Sequence, residues 1–311
     1  MAKHVVICAQ GTGVSMWDAD APQPYGVAMA LDSNRCYPQP LGNYPASVVN
    51  PQMGESVQDG VNEIVRLLTD VYYPGCTKDG SGGAGSSIIL LGYSQGAWVV
   101  SAFMANECHS PVGRCHQRWL GGDIVCVAVW GNPLRCPGYA SGNQFAGWPM
   151  PAPLDGLTTG GIGGPEDLQP AVMACQNPHQ RHYWGEFVNT LSTSARSIYE
   201  DCPVGPPAGQ PSGAAINTAG PPWTNEPDEG MWSTQIFDLV QAWFPALFTF
   251  ILKVVEIFGP GLLPHLIGIG EAVWNAGMFA AAGPNASHYT YQTGPIIAFV
   301  GLAANEVEPR G

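Results

Sequence analysis

Ser94 stands between two glycines in Gly92-Tyr93-Ser94-Gln95-Gly96. The apolar run Ser87-Ile88-Ile89-Leu90-Leu91 comes directly before, and Ala97-Trp98-Val99-Val100 follows. The first run reads as a buried strand and the second as the start of a helix, so the serine lies at the apex of a strand–turn–helix, the context that gives a G-x-S-x-G pattern its meaning. A turn this sharp leaves no room for side chains at positions 92 and 96. It raises the Ser94 hydroxyl above the sheet at a helix N-terminus, whose dipole favours developing negative charge. The chemistry that fits is nucleophilic attack by the hydroxyl.

A serine hydroxyl is a weak nucleophile at neutral pH and needs a general base, usually histidine, oriented by a carboxylate. Where the serine sits on such a strand–turn–helix elbow, these follow it in the order acid, then histidine. Six of the seven histidines come after Ser94. His109 and His116 follow too soon and fall in a connecting loop. His179 and His182 lie in polar loop sequence, and His265 lies inside an apolar stretch. His288, in Pro284-Asn285-Ala286-Ser287-His288-Tyr289, fits the base, because the helix-like segment Ile296-Ile297-Ala298-Phe299-Val300 closes the chain behind it. For the acid, Glu226, Asp228 and Glu229 cluster just before the apolar stretch. Asp228 is the choice, since a short carboxylate after proline suits a tight loop, with Glu229 as the alternative. An oxyanion needs two backbone N–H donors. Gln95, next to the nucleophile, supplies one. The turn Gln10-Gly11-Thr12-Gly13 after the first strand points to Thr12 for the other. No lysine follows that turn to make a phosphate loop, and His179-x-x-His182 lacks zincin spacing, so neither a cofactor nor a metal is expected.

These residues need a scaffold. Residues 5–9, 87–91 and 124–130 are continuous apolar runs, as strands buried on both faces of a parallel sheet are. Each ends in turn chemistry. Glu55 to Asp70 carries Val57, Val61, Ile64, Val65, Leu67 and Leu68 at helical spacing. Residues 14–50 read as irregular, and short helical stretches are expected near Tyr183–Ser197. The alternation gives an α/β fold with chemistry at the carboxyl ends of the strands. Residues 1–230 form the core, 231–283 an apolar helical lid or linker, and 284–311 the return to the core. The longest uncharged piece, Leu239 to Leu252, is shorter than a membrane span and contains proline.

Composition narrows the partners. The chain has 311 residues, 45% hydrophobic and only 11% charged, with 40 Gly and 29 Pro and a formal net charge of −13. Eleven Lys and Arg argue against nucleic acid and against docking on anionic lipid. The nine cysteines include no C-x-x-C pair. Cys8 and Cys126 read as small core residues, whereas Cys108, Cys115, Cys136, Cys175 and Cys202 lie in loop-like sequence that suits disulfides outside a reducing cytosol.

Four segments carry a family resemblance: Gln10-Gly11-Thr12-Gly13, Pro40-Leu41-Gly42-Asn43-Tyr44-Pro45-Ala46, Gly92-Tyr93-Ser94-Gln95-Gly96-Ala97 and Trp130-Gly131-Asn132-Pro133. In order and spacing the chain resembles the lysin B esterases of phages that infect mycobacteria, which are themselves similar to cutinases. The resemblance implies a cutinase-like α/β-hydrolase with a mostly parallel central sheet and a helical insertion. It also implies a serine esterase that cleaves the ester between mycolic acids and arabinogalactan during phage-mediated lysis. It makes Ser94 the nucleophile and His288 the base. The family's aspartate falls at Gly230 here, which moves the acid to Asp228 or Glu229. The expected partner is mycolyl-arabinogalactan or another long-chain lipid ester, with lipid-surface contact through the insertion. Met1-Ala2-Lys3-His4 runs straight into a strand with no secretion signal. The expectation is therefore synthesis in the infected host's cytoplasm and action at the envelope after release, or on the virion. The competing readings are a cutinase-like lipase or polyesterase and a virion-associated wall-binding protein with a degenerate site.

Overall fold

The computed structural model describes residues 2–47, 50–73, 85–153, 157–161, 173–175, 180–191, 197, 199–207 and 282–310. Of the expected insertion at 231–283, only its last two residues fall among them.

Five parallel strands form the central sheet: β1 (His4–Ala9), β2 (Cys36–Pro40), β3 (Ile88–Tyr93), β4 (Ile124–Trp130) and β6 (Trp184–Phe187). Their order is β2-β1-β3-β4-β6. Every residue of β1, β3 and β4 is buried, which is why their sequences run apolar without alternation. The side chains still alternate between faces. Val5, Ile7, Leu90 and Val127 enter one core with Val57, Val61 and Ile64 of α2 (Met53–Arg66) and Val99 and Val100 of α3 (Gln95–Phe103). Val6, Cys8, Leu91 and Ala128 enter the other, with Val27 and Ala28 of α1 (Pro24–Met29) and Ile296, Phe299 and Val300 of the closing helix α6 (Thr293–Glu306). The result is a three-layer sandwich with Ser94 at the carboxyl end of its central strand.

Two short helices, α4 (His116–Leu120) and α5 (Ser141–Ala146), flank β4 in sequence. Strands β5 (Leu157–Gly160) and β7 (Cys202–Pro207) pair antiparallel beside the main sheet. Among the described residues no helix is long and apolar enough to cross a membrane.

Several sequence expectations change. The stretch 14–50 contains α1 and β2, and residues 184–187 form strand β6 where helical turns were expected. A Cβ on Gly185 would lie 2.8 Å from the Phe299 ring, so glycine lets α6 close onto the sheet. His116 opens α4 instead of lying in a loop, and His182 pairs with Glu306 of α6 at 2.6 Å. Cys8 and Cys126 are buried in strands, and Cys108 and Cys115 are buried free thiols. Burial raises the Cys115 thiol to about 12.

Candidate active site

The elbow forms as its glycines require. A Cβ on Gly92 would meet the Gly96 carbonyl oxygen at 2.6 Å, and one on Gly96 would overlap the Ala9 carbonyl of β1. Ser94 itself adopts φ 56°, ψ −123°. A non-glycine residue there stores of order 1–3 kcal/mol of strain, as functional sites often do. Its backbone N–H donates to Trp130 O at 3.0 Å, and its hydroxyl makes no helix cap. The hydroxyl instead lies 2.9 Å from His288 Nε2.

His288 comes from a short turn, Ser287–Tyr289, ahead of α6. Asn189, just past β6, ties this turn down by donating to Ser287 O at 2.9 Å and Thr290 O at 3.1 Å. The Tyr93 hydroxyl donates to His288 O at 2.8 Å, and its ring stacks on the imidazole at 5.3 Å and 29°. Tyr199 covers the ring from 4.9 Å. Gly131, at φ 60°, lets the backbone approach the imidazole: a Cβ there would sit 2.8 Å from His288 Cε1. The Trp-Gly-Asn-Pro segment thus has a physical reason for its glycine. Its asparagine, Asn132, donates to Ser101 Oγ of α3 at 3.0 Å and so fixes the loop against the elbow helix.

The carboxylate bonded to His288 is Glu200, whose Oε2 lies 2.9 Å from Nδ1. The Ser197 hydroxyl donates to the same oxygen, and Tyr291 donates to Oε1 at 2.8 Å. Burial pushes the Glu200 carboxyl up. The charge of His288 and the hydrogen bonds from His288, Ser197 and Tyr291 outweigh that and hold it below the ordinary carboxylate value. Sequence reasoning missed Glu200. It precedes the histidine, as the acid should, but chain order admits every carboxylate between positions 94 and 288. Asp228 and Glu229 lie outside the described residues.

Arg135, fully buried, supports the segment that carries Glu200. It donates to Glu200 O at 2.5 Å and Tyr139 O at 3.1 Å, and pairs with Asp201 at 3.5 Å. Glu186 on β6 is equally buried. Burial raises its carboxyl to about 8, against the pull of Arg135 and of hydrogen bonds from Trp184 and Asn132.

Ser94 and His288 open onto a cleft of about 270 Å³ that Thr12 and Gln95 also line. Gln95 is the first residue of α3, where a backbone N–H has no carbonyl within the helix. Its side chain is tied back by Tyr44 (2.9 Å), Ser56 (3.0 Å) and Ser47 O (2.9 Å). Tyr44 belongs to the Gly-Asn-Tyr-Pro segment, so that segment steadies the elbow helix. Gly11 and Gly13 N–H groups bond to Gln23 Oε1 (3.1 Å) and Ala46 O (2.8 Å), with Thr12 between them on the cleft wall. Val14, Pro22, Met53, Trp98, Pro133, Tyr199 and Tyr289 make the rest of the cleft largely apolar. Among the described residues no group of three His, Cys, Asp or Glu could hold a metal ion.

No family model matches the chain. It is similar to Endolysin B of Mycobacterium phage D29, 32% identical over 163 residues, covering 49% of this chain and 54% of that protein. It is also similar to Endolysin B of Mycobacterium phage L5, 32% identical over 155 residues, covering 47% and 52%. The chain spans about half the length of the curated relatives it matches. The crystal structure of lysin B from Mycobacteriophage D29 aligns with a TM-score of 0.50 at 21% identity, covering 96% of this chain and 99% of that one. At that identity the likeness speaks for the fold, and the fold is that of an α/β-hydrolase. The chain is thus similar in sequence to these endolysins over about half its length, and in fold over nearly all of it.

Proposed function

We propose that this protein is a serine esterase of the lysin B kind, a cell-wall-acting hydrolase that cleaves the ester between mycolic acids and arabinogalactan and so aids phage-mediated lysis. The observation that carries the reading is the hydrogen-bonded chain Ser94–His288–Glu200 at the mouth of an apolar cleft. Ser94 Oγ attacks the ester carbonyl carbon while His288 Nε2 takes its proton. Glu200 keeps the other proton on Nδ1 and stabilises the imidazolium that forms. The Gln95 and Thr12 N–H groups hold the oxyanion. Collapse of the tetrahedral intermediate expels the sugar alkoxide, which His288 protonates. Water, deprotonated by His288, then hydrolyses the acyl-enzyme. The apolar lining suits a long alkyl chain, whose binding depends on buried area more than on charge.

Incubation with mycolyl-arabinogalactan tests the substrate, with free mycolic acid as the expected product. Ser94→Ala should abolish that release and the hydrolysis of p-nitrophenyl esters without changing the circular dichroism spectrum. Short-ester activity without mycolate release would point to a cutinase-like lipase instead. Wall binding by a protein that no serine-reactive phosphonate labels would point to a binding module.

A further inference from the structure

We infer that Tyr291 is a positioning residue of this site, whose hydroxyl braces the second oxygen of Glu200 and so fixes the carboxylate against His288. The inference rests on the serine-esterase reading above.

The Tyr291 hydroxyl is nearly closed off from solvent, with the residue 5% exposed. It has one hydrogen to give. It accepts the Gly131 N–H at 3.0 Å, and two acceptors lie within reach, Glu200 Oε1 at 2.8 Å and Phe187 O at 3.3 Å. The carboxylate is nearer and gives the stronger, charge-assisted bond. Burial holds the phenol far above its ordinary value, so it remains a donor. Different groups therefore hold the two carboxylate oxygens: His288 and Ser197 on Oε2, Tyr291 on Oε1.

Chain position makes the brace more than a packing contact. Tyr291 lies three residues after His288 in the segment that Asn189 ties to the end of β6. It also anchors Gly131, the backbone against which the imidazole rests. One short segment thus supplies both the base and the group that aims its acid. Without the hydroxyl, a buried carboxylate oxygen and a buried N–H each lose a partner. Glu200 Oε2 and His288 Nδ1 share a proton across their 2.9 Å hydrogen bond. A less stabilised carboxylate makes the pair keep its proton to higher pH.

The test is the pH profile of kcat/KM on p-nitrophenyl butyrate, normalised to sites titrated with a serine-reactive phosphonate. Tyr291→Phe should lower kcat/KM at neutral pH roughly tenfold, the usual scale for losing a hydrogen bond to a charged group. It should also move the acidic limb upward by roughly half to one pH unit. A merely structural role would lower the melting temperature and the titrated fraction but leave the limb in place. Replacing Tyr291 with 3-fluorotyrosine keeps the shape, strengthens the donor and should move the limb downward. This second variant decides the matter should Tyr291→Phe fail to fold. A wild type labelled at Ser94, with both variants keeping its acidic limb, overturns the proposal alone. An unlabelled wild type overturns the serine-esterase reading and this proposal with it.

Discussion

Glu200 and Glu186 are both sealed from solvent, and both lie in the field of Arg135. Glu200 receives hydrogen bonds on both oxygens, from His288, Ser197 and Tyr291. Glu186 receives two longer ones, from Asn132 at 3.2 Å and Trp184 at 3.3 Å, both on Oε2. Its Oε1 has no partner among the described residues. Burial disfavours the charged form of each, so the donors decide the outcome. Glu200 falls below the ordinary carboxylate value, while Glu186 rises to about 8. Burial by itself therefore does not mark a catalytic carboxylate. What singles out Glu200 is a full set of donors, one of them the histidine beside the nucleophile. A neutral Glu186 also costs less to leave half-satisfied than a buried anion would.

The sharpest way to break this contrast is to neutralise each carboxylate in turn. Glu200→Ala should lower kcat on p-nitrophenyl butyrate by about 10³–10⁴-fold, as when the orienting acid of a triad is lost. Glu186→Gln should leave kcat at neutral pH within about threefold, since a neutral side chain replaces a neutral one. Equal losses would abolish the distinction. A smaller effect is expected at the cation the two share. Arg135→Met removes a buried ion pair to Asp201 and the donor to the Glu200 carbonyl. It should cost about 3–5 kcal/mol in urea unfolding, the range for breaking a buried ion pair. If stability is unchanged, Arg135 does not hold the acid segment.

The smallest effects are in pH dependence, and they run in opposite directions. Glu186 binds its proton more tightly folded than unfolded. Its stabilising contribution is complete below the ordinary carboxylate pKa and is lost as pH rises toward about 8. Glu200 is the reverse: its contribution is present above its unfolded pKa and is lost as pH falls through its depressed folded value. Melting temperatures of Glu186→Gln and wild type should therefore agree more closely at pH 5 than at pH 9, with the variant gaining on the alkaline side. A constant offset across that range would mean that Glu186 is not protonated in the folded protein.

Much of the scaffold was legible because its signals are local. The apolar runs at 5–9, 87–91 and 124–130 match β1, β3 and β4 to within a residue or two, since a strand buried on both faces needs an unbroken apolar run. Helix α2 was legible from its periodicity. Strand β2 was hidden because Cys36-Tyr37-Pro38-Gln39-Pro40 carries two prolines, which suit only an edge position. Strand β6 was hidden because its four residues include a glycine that only the packing of Phe187 and Phe299 explains. In the candidate site, Ser94 and His288 were anticipated, and the structure brings them within hydrogen-bond distance. Glu200 was not, because Tyr199-Glu200-Asp201 looks like any acidic turn until Arg135 and Tyr291 fold around it.

The sequence by itself determined the elbow. Two glycines, a buried strand before them and a helix after them leave the Ser94 backbone little choice, because every constraint acts within ten residues. The acid was decided only by the tertiary structure. A carboxylate becomes the partner of His288 when donors from the segment before β7 and from the turn before α6 converge on it, while Arg135 after β4 holds its main-chain carbonyl. No local pattern encodes a convergence of segments nearly a hundred residues apart.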